Sequence, residues 1–333
     1  MSTASAINLF TVSPRSTDPS DYWRNIEESV DLSEANGYTG MLIFTGNDTF
    51  AEPWVVAQRL LERTERLMPL VAINPIYAHP FTVAKQISSF AYVYGRATAL
   101  NMVAGAALSY QQALGDDLEH GARYDRLGEF LTIVKGLVTQ PRYSQLGDYY
   151  QVENLQLRPT IPAELQPQFL LSGQSDAALK LARRCEATSM QMLPGPLARG
   201  IRPDVGGIHF GVIARPSEAE AWEVARSIYR PDPEAQMMLE MSMENTDATW
   251  KRRMKIAADN SEGAAPGYWL EPFRNFKADC PYFVGSYAQV ATLVEELVAG
   301  GIGTIILDLP PRASEFEHSF RAVASAGIKI RCG

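Results

Sequence analysis

One rhythm constrains this chain more than any other feature: short apolar, β-rich runs alternate with longer amphipathic segments, eight times over. Ala6–Val12 reads as a strand closed by Ser13-Pro14, followed by a helix over Asp21–Asn36 that stops at Gly37. Tyr38–Phe44, Leu67–Ile73 and Thr98–Ala104 supply strands two to four, with helices over Trp54–Thr64, Phe81–Tyr92 and Arg123–Thr139. Gln168–Leu171, Ser189–Leu193, Ile208–Ala214 and Thr304–Leu309 bring the strands to eight, with helices over Asp176–Arg184, Ser217–Tyr229 and Tyr287–Ala299. The runs are apolar nearly throughout, as in strands covered on both faces of a parallel sheet. Eight such beats predict an α/β fold, a (β/α)8 barrel in one domain over residues 1–333, with an open doubly wound sheet as the alternative. Tyr149–Leu157 has aromatic alternation and reads as an excursion outside the barrel.

Residues 230–275 interrupt the rhythm. Met237, Met238, Met241 and Met243 cluster there, followed by Lys251-Arg252-Arg253-Met254-Lys255 and a stretch rich in glycine, alanine and proline. An insertion before strand eight lies at the C-terminal mouth of a barrel, where lids form. The methionines are expected to pack its helices, and the basic run to be a solvated helix face.

Charge and cysteine usage narrow the function. The 38 acidic side chains exceed the 30 basic ones, a net charge of −8, which argues against a nucleic-acid partner. Three cysteines without a CxxC pair argue against a disulfide framework, and four histidines without HxH or HExxH spacing argue against a metal site. No cationic, apolar leader and no run of about 18 apolar residues is visible. The expectation is a cytoplasmic enzyme with no membrane contact.

Barrel ligands sit at the C-terminal ends of strands, so those ends were searched for chemistry. Strand five runs through Ser172-Gly173-Gln174-Ser175 into a helix, whose first backbone N–H groups, positive dipole end and hydroxyls make a phosphate cradle. The same pattern also serves as a plain N-cap. Thr45, Asn74, Asn101 and Ala104 fall at or near other strand ends and are candidate pocket residues, although such asparagines also form turns. His209, on strand seven, belongs to the alternate set that faces the barrel interior, and a packed core histidine is the competing reading.

Beyond the rhythm, a set of strings in order carries a resemblance: ANGYTGMLIFTG (35–46), PWVVAQ (53–58), HGARYDRLGEFL (120–131), SGQSDAALKLA (172–182), VIARPSEAEAW (212–222) and WKRRM (250–254). The chain resembles the bacterial-luciferase-like flavin monooxygenases, and among them the two-component alkanesulfonate monooxygenases. The resemblance implies a barrel with an insertion lid that uses reduced FMN (FMNH2) and O2. It also implies a separate NAD(P)H-dependent flavin reductase and a homodimer or homotetramer. It assigns the FMN phosphate to the Ser172–Ser175 segment together with Tyr124, whose own helical position otherwise reads as core packing.

The chain departs from the sulfonate enzymes around the substrate. After strand two the family has a cysteine; here Asn47 and Asp48 offer the polar groups and are the catalytic candidates with His209. On strand seven His209 and Gly211 stand where the family has an arginine and a histidine. The lid arginine falls on Phe276, with Arg274 and Lys277 nearby, and the tyrosine after strand eight becomes Pro310. Losing those cations points away from an anionic sulfonate, since a buried anion needs compensating charge. The expected activity is hydroxylation or Baeyer–Villiger-type oxidation of a small-molecule or carrier-protein-bound acyl substrate. Desulfonation, F420-dependent dehydrogenation and flavin binding without catalysis are the alternatives.

Overall fold

The computed structural model of the chain describes residues 6–15, 18–105, 107–260 and 265–333. In chain order the strands are β1 (Ala6–Val12), β2 (Gly40–Ile43), β3 (Met68–Ile73), β4 (Ala99–Met102), β5 (Tyr143–Leu146), β6 (Gln151–Leu155) and β7 (Gln168–Ser172). They continue with β8 (Thr188–Met192), β9 (Gly207–Arg215), β10 (Tyr268–Trp269), β11 (Tyr282–Ser286), β12 (Thr304–Asp308) and β13 (Lys329–Ile330). The helices are α1 (Pro19–Asn36), α2 (Pro53–Arg63), α3 (Pro80–Tyr94), α4 (Leu108–Ala113), α5 (His120–Thr139) and α6 (Asp176–Arg184). After them come α7 (Glu218–Ile228), α8 (Pro233–Glu244), α9 (Thr249–Asp259), α10 (Glu271–Arg274), α11 (Tyr287–Ala299) and α12 (Ala313–Ala324).

Eight parallel strands close on themselves in the order β1, β2, β3, β4, β7, β8, β9, β12 and back to β1. All eight coincide with runs read from the sequence, and the closed ring excludes the open sheet. The excursion is the antiparallel pair β5–β6, off the barrel. Strand alternation separates two apolar layers. Phe10, Leu42, Leu70, Leu170, Met190 and Ile306 fill the barrel interior, whereas Ile7, Leu9, Val71, Leu100 and Leu171 pack outward under the helices. The interior register 10/12, 42/44, 99/101/103 and 306/308 carries upward to the residues that line the mouth.

The sequence reading missed β11. Its residues, YFVGS, lie in the expected connection to the eighth strand, but they pair with the upper half of β9. β9 is nine residues long. Its first part pairs with β8 and β12, and from Gly211 to Arg215 it pairs with β11, on whose other edge β10 lies antiparallel. Gly211 makes this split possible. By register it faces inward with His209, and a Cβ built on it would fall inside the ring of Tyr282. That ring is fully buried, shares a hydrogen bond with the Tyr229 hydroxyl at 2.8 Å and donates to Asp308 at 2.8 Å. The space beside Gly211 is occupied by Tyr282.

The insertion has a core of its own, Leu239, Met254, Ala258, Leu270 and Phe273. The expectation for the methionines fails for three of the four: Met237, Met238 and Met241 are exposed, and only Met243 packs against this core. The expectation of a wholly solvated basic face fails at Lys251, which lies on the buried stripe with Met254 and Ala258 at helical spacing. Overpacking a core typically costs about 1–3 kcal/mol, and Tyr282 is held from two sides. Gly211→Ala should therefore destabilise the fold by at least that amount, read as a lowered urea midpoint with unchanged slope; a midpoint matching the wild type would refute the packing argument.

Candidate active site

The C-terminal strand ends and the insertion enclose one cavity of about 860 Å³. Its floor is apolar, with Val12, Leu42, Met190 and Ile306 contributed by the barrel interior. The strand-end candidates Thr45, Asn74, Asn101 and Ala104 all line it, as do Asp48, His209, Phe276 and Lys277. Two expected residues do not. Asn47 is exposed and turned to the neighbouring loops, where its Oδ1 accepts from the Tyr77 hydroxyl after β3 at 2.6 Å and its amide donates to the Tyr110 carbonyl of α4 at 3.4 Å. Arg274 lies on a separate, shallower hollow and pairs with Glu271 at 3.6 Å, because α10 turns it away from the mouth.

One wall is the cradle. Ser172, Gly173, Gln174, Ser175 and Tyr124 meet there. Gly173 has φ of +149°, and a Cβ on it would overlap the Tyr124 hydroxyl and reach 2.8 Å from Ala178 Cβ. Only glycine leaves this space open. The Ser175 Oγ accepts from the Ala178 N–H at 3.2 Å, so the N-cap reading also holds, and the hydroxyl lies in hydrogen-bonding range of the Tyr124 phenol. Ser172 donates to the Asn101 Oδ1 at 2.7 Å, joining two candidates from neighbouring strands. His120 adds a group that sequence left undecided: its Nε2 is buried without a partner among the described residues, while its Nδ1 faces Asp247 at 3.4 Å. Arg123 donates to the same Asp247 at 2.5 Å, tying α5 to the turn between α8 and α9.

The opposite wall carries charge that the sequence reading missed. Arg15, directly after β1, lies 3.0 Å from Asp279, and Lys251 lies 3.9 Å from the other oxygen of that carboxylate. Burial opposes the charge on Arg15, but Asp279 and Asp308 more than offset it and keep the guanidinium protonated. Asp279 is likewise desolvated, yet Arg15 and Lys251 hold its carboxyl below the usual range. Burial pulls Lys251 down, with Asp279 pushing back. The cavity therefore carries Arg15 and Lys251 besides the expected Lys277, which corrects the expectation of a mouth poor in positive charge. Position after strand one was a usable signal for Arg15, and the stripe of Lys251, Met254 and Ala258 one for Lys251. Asp279 had none, because β11 went unseen.

His209 is pushed down to about 4 by burial, with the charge of Arg15 adding to the effect. It is a neutral imidazole at pH 7, able to hydrogen-bond but not to serve as a cation, and its Nε2 has no partner among the described residues. His209, Cys280 and Asp308 also bring a ring nitrogen, a sulfur and a carboxylate oxygen within 4.8 Å of one another, contrary to the scattered spacing in sequence. Burial holds the Cys280 thiol well above its ordinary value. Burial also raises the Asp308 carboxyl.

A sequence profile described as luciferase-like monooxygenase matches residues 5–304. The chain belongs to the luciferase-like monooxygenase family. It is 31% identical over 312 residues to the 4-(gamma-L-glutamylamino)butanoyl-[BtrI acyl-carrier protein] monooxygenase BtrO of Niallia circulans, covering 90% of this chain and 91% of that one. It is 29% identical over 327 residues to the FMNH2-dependent dimethylsulfone monooxygenase of Pseudomonas putida, covering 91% and 86%. Among solved structures, the oxygenating constituent of 3,6-diketocamphane monooxygenase from Pseudomonas putida, in complex with FMN, superposes with a TM-score of 0.66. It is 16% identical and covers 99% of this chain and 100% of its own.

The depressed value for His209 has a measurable sign. Its unfolded value is near 6.5 and its folded value about 4, so on acidification the unfolded chain takes up the proton first. Stability from this residue is present above pH 6.5 and is lost as pH falls towards about 4, at up to about 1.4 kcal/mol per pH unit. His209→Asn should remove this slope, so urea midpoints of variant and wild type should converge on going from about pH 7 to about pH 5. A constant difference would show that His209 does not titrate in that window.

Proposed function

We propose that this chain is the oxygenase component of a two-component flavin monooxygenase. It acts in the cytoplasm as a homodimer or homotetramer and takes reduced FMN from a separate NAD(P)H-dependent reductase. Its substrate is an acyl chain carried as a thioester, hydroxylated or oxidised in the Baeyer–Villiger manner.

The observation that carries this reading is the cradle. Gly173 leaves room for a phosphate against the backbone, Ser175 and Tyr124 present hydroxyls, and the buried Nε2 of His120 lacks a partner. These groups fit the phosphate end of a flavin mononucleotide. Thr45, Asn74, Asn101 and Ala104, across the mouth, fit the ring system. Bound reduced flavin supplies the two electrons with which one atom of O2 enters the substrate and the other leaves as water. The chain's own tasks are positioning, drying and proton control. The apolar floor excludes water from the reacting space. His209, neutral, holds a proton on one ring nitrogen and offers it as a hydrogen bond at the centre of the cavity. Asp48 bears on the Tyr110 phenol, which burial first, and then this carboxylate, push up to about 12.

A tethered substrate is supported by the mouth. Phe50, Tyr77, Met238 and Phe276 line the cavity and are also exposed. An apolar rim of this kind fits a thioester arm reaching in while its carrier stays outside, and the relative from Niallia circulans is named for an acyl-carrier-protein substrate.

The test is turnover of acyl-pantetheine thioesters with FMN, a flavin reductase, NADH and isotopically labelled dioxygen. One labelled oxygen atom should appear in the product only when all components are present; absence of label would defeat the reading. Each hydrogen bond to a charged group contributes about 1.5–3 kcal/mol, and tenfold in affinity is about 1.4 kcal/mol. Ser175→Ala combined with Tyr124→Phe should thus raise the FMN dissociation constant at least about tenfold. The lost N-cap should cost only about 1 kcal/mol of stability. An unchanged FMN titration would remove the cradle from the site.

A further inference from the structure

Arg15 occupies an unusual setting. It lies deep in the molecule by its surroundings, yet 40% of its side chain remains accessible, because it faces the cavity. The guanidinium carbon lies over the Phe44 ring, 5.7 Å from its centre. Asp279 pairs with the guanidinium at 3.0 Å and is itself 37% accessible. The Lys251 ammonium approaches from the insertion, 5.5 Å from the centre of the Phe276 ring and 2.6 Å from the Ser242 Oγ. Two cations thus share one carboxylate at the cavity wall. His209 beside them contributes no charge at neutral pH, and Asp308 behind them is hydrogen-bonded to Tyr282 and biased towards its neutral form. Lys277, at the rim, is 3.9 Å from Asp232 and is not needed for the balance.

We propose that Arg15 and Lys251 form a carboxylate-binding subsite that seats the anionic end of the substrate, opposite the end held by its carrier. This deepens the functional reading above and rests on it for the word substrate. One uncompensated positive charge suits a monoanion, and the planar, forked guanidinium suits a carboxylate. Asp279 fixes Arg15 in place and at the same time competes with the incoming anion. The residues come from the β1 end, the insertion and the β11 approach, so the subsite forms only where the insertion closes on the barrel. The positive charge absent from the family's arginine positions has been supplied from two other places.

The probes are hexanoate and hexanamide, alike in size and different in charge, titrated into the full chain at low salt. Binding is followed by the fluorescence of Trp250, which lines the cavity, and FMN affinity is measured in parallel. The wild type should bind hexanoate at least about tenfold more tightly than hexanamide. Arg15→Met and Lys251→Met should each abolish most of that preference with FMN affinity unchanged, and Arg15→Lys, which keeps the charge, should retain part of it. Asp279→Asn removes the competing carboxylate and should tighten hexanoate, a result that a merely structural pair would not give. Equal binding of the two probes by the wild type overturns the subsite. So does a variant of Arg15 that loses FMN affinity and keeps the hexanoate preference, because the residue then serves the flavin. If the wild type binds hexanoate selectively but binds no FMN, the monooxygenase reading fails and the subsite stands.

Discussion

The structure depends on one strand that does two jobs. The first half of β9 closes the barrel between β8 and β12, and its second half carries β11, from which β10 and the insertion hang. The changeover occurs at Gly211, whose missing side chain is replaced by the ring of Tyr282. From that ring, contacts run to Tyr229 on one side and to Asp308, at the end of β12, on the other. At the top of the same strand, buried Arg215 donates to Glu315 of α12 at 3.0 Å and through a second, bidentate contact. Such a buried pair is weak evidence for net stability but strongly penalises any arrangement in which one partner is left alone. It fixes where the upper strand sits, and with it where the insertion begins.

Charge is distributed around the cavity in a way the fold makes possible. The cradle is built on α6 and α5 from neutral donors, backbone and hydroxyl, supplemented by the unpartnered His120 nitrogen. The full charges, Arg15, Lys251 and Asp279, lie with β1, the insertion and the approach to β11. An imidazole placed between these would charge readily if it were wet, but burial and the neighbouring guanidinium keep His209 neutral. The protein thus holds permanent charge at one wall of the cavity and keeps the central group neutral, where a stray charge would have to be desolvated.

Sequence made the barrel legible because each of its strands is apolar on both faces, a signal that local composition carries without knowledge of partners. The same signal failed for β11, since a five-residue run beside a bend is indistinguishable from linker until β9 is known to extend past the barrel. Within the site, the Ser172–Ser175 turn could be located from sequence because a strand–turn–helix junction is a local pattern, and the structure brings Tyr124 of α5 against it. Where the Asn47 side chain points was not legible, because a loop asparagine can face the cavity or a neighbouring loop, and contacts distant in sequence, here with Tyr77 and Tyr110, decide which. Arg15 lies far in sequence from Lys251 and Asp279, and the three become a unit only where the insertion meets the barrel. Spacing cannot encode a site that the tertiary fold assembles.

The anchoring of the insertion constrains how a ligand enters. Its central turn is held to the barrel by Leu108 N–H donating to the Asn245 carbonyl at 3.1 Å, by Ser109 N–H donating to Asn245 Oδ1 at 2.8 Å, and by Arg123 with Asp247. Arg123 is 2% exposed, so lifting that turn strands a buried cation, at a cost of about 3–5 kcal/mol. An equilibrium offset of that size leaves the lifted state at well under about one part in a hundred. The far end is held as well, by β10 on β11. Entry therefore runs through the existing opening at Phe50, Tyr77, Met238 and Phe276, where adaptable apolar side chains can give way without exposing charge. Because α5 carries both Tyr124 and the Arg123 anchor, whatever binds the cradle also bears on the helix that holds the insertion down.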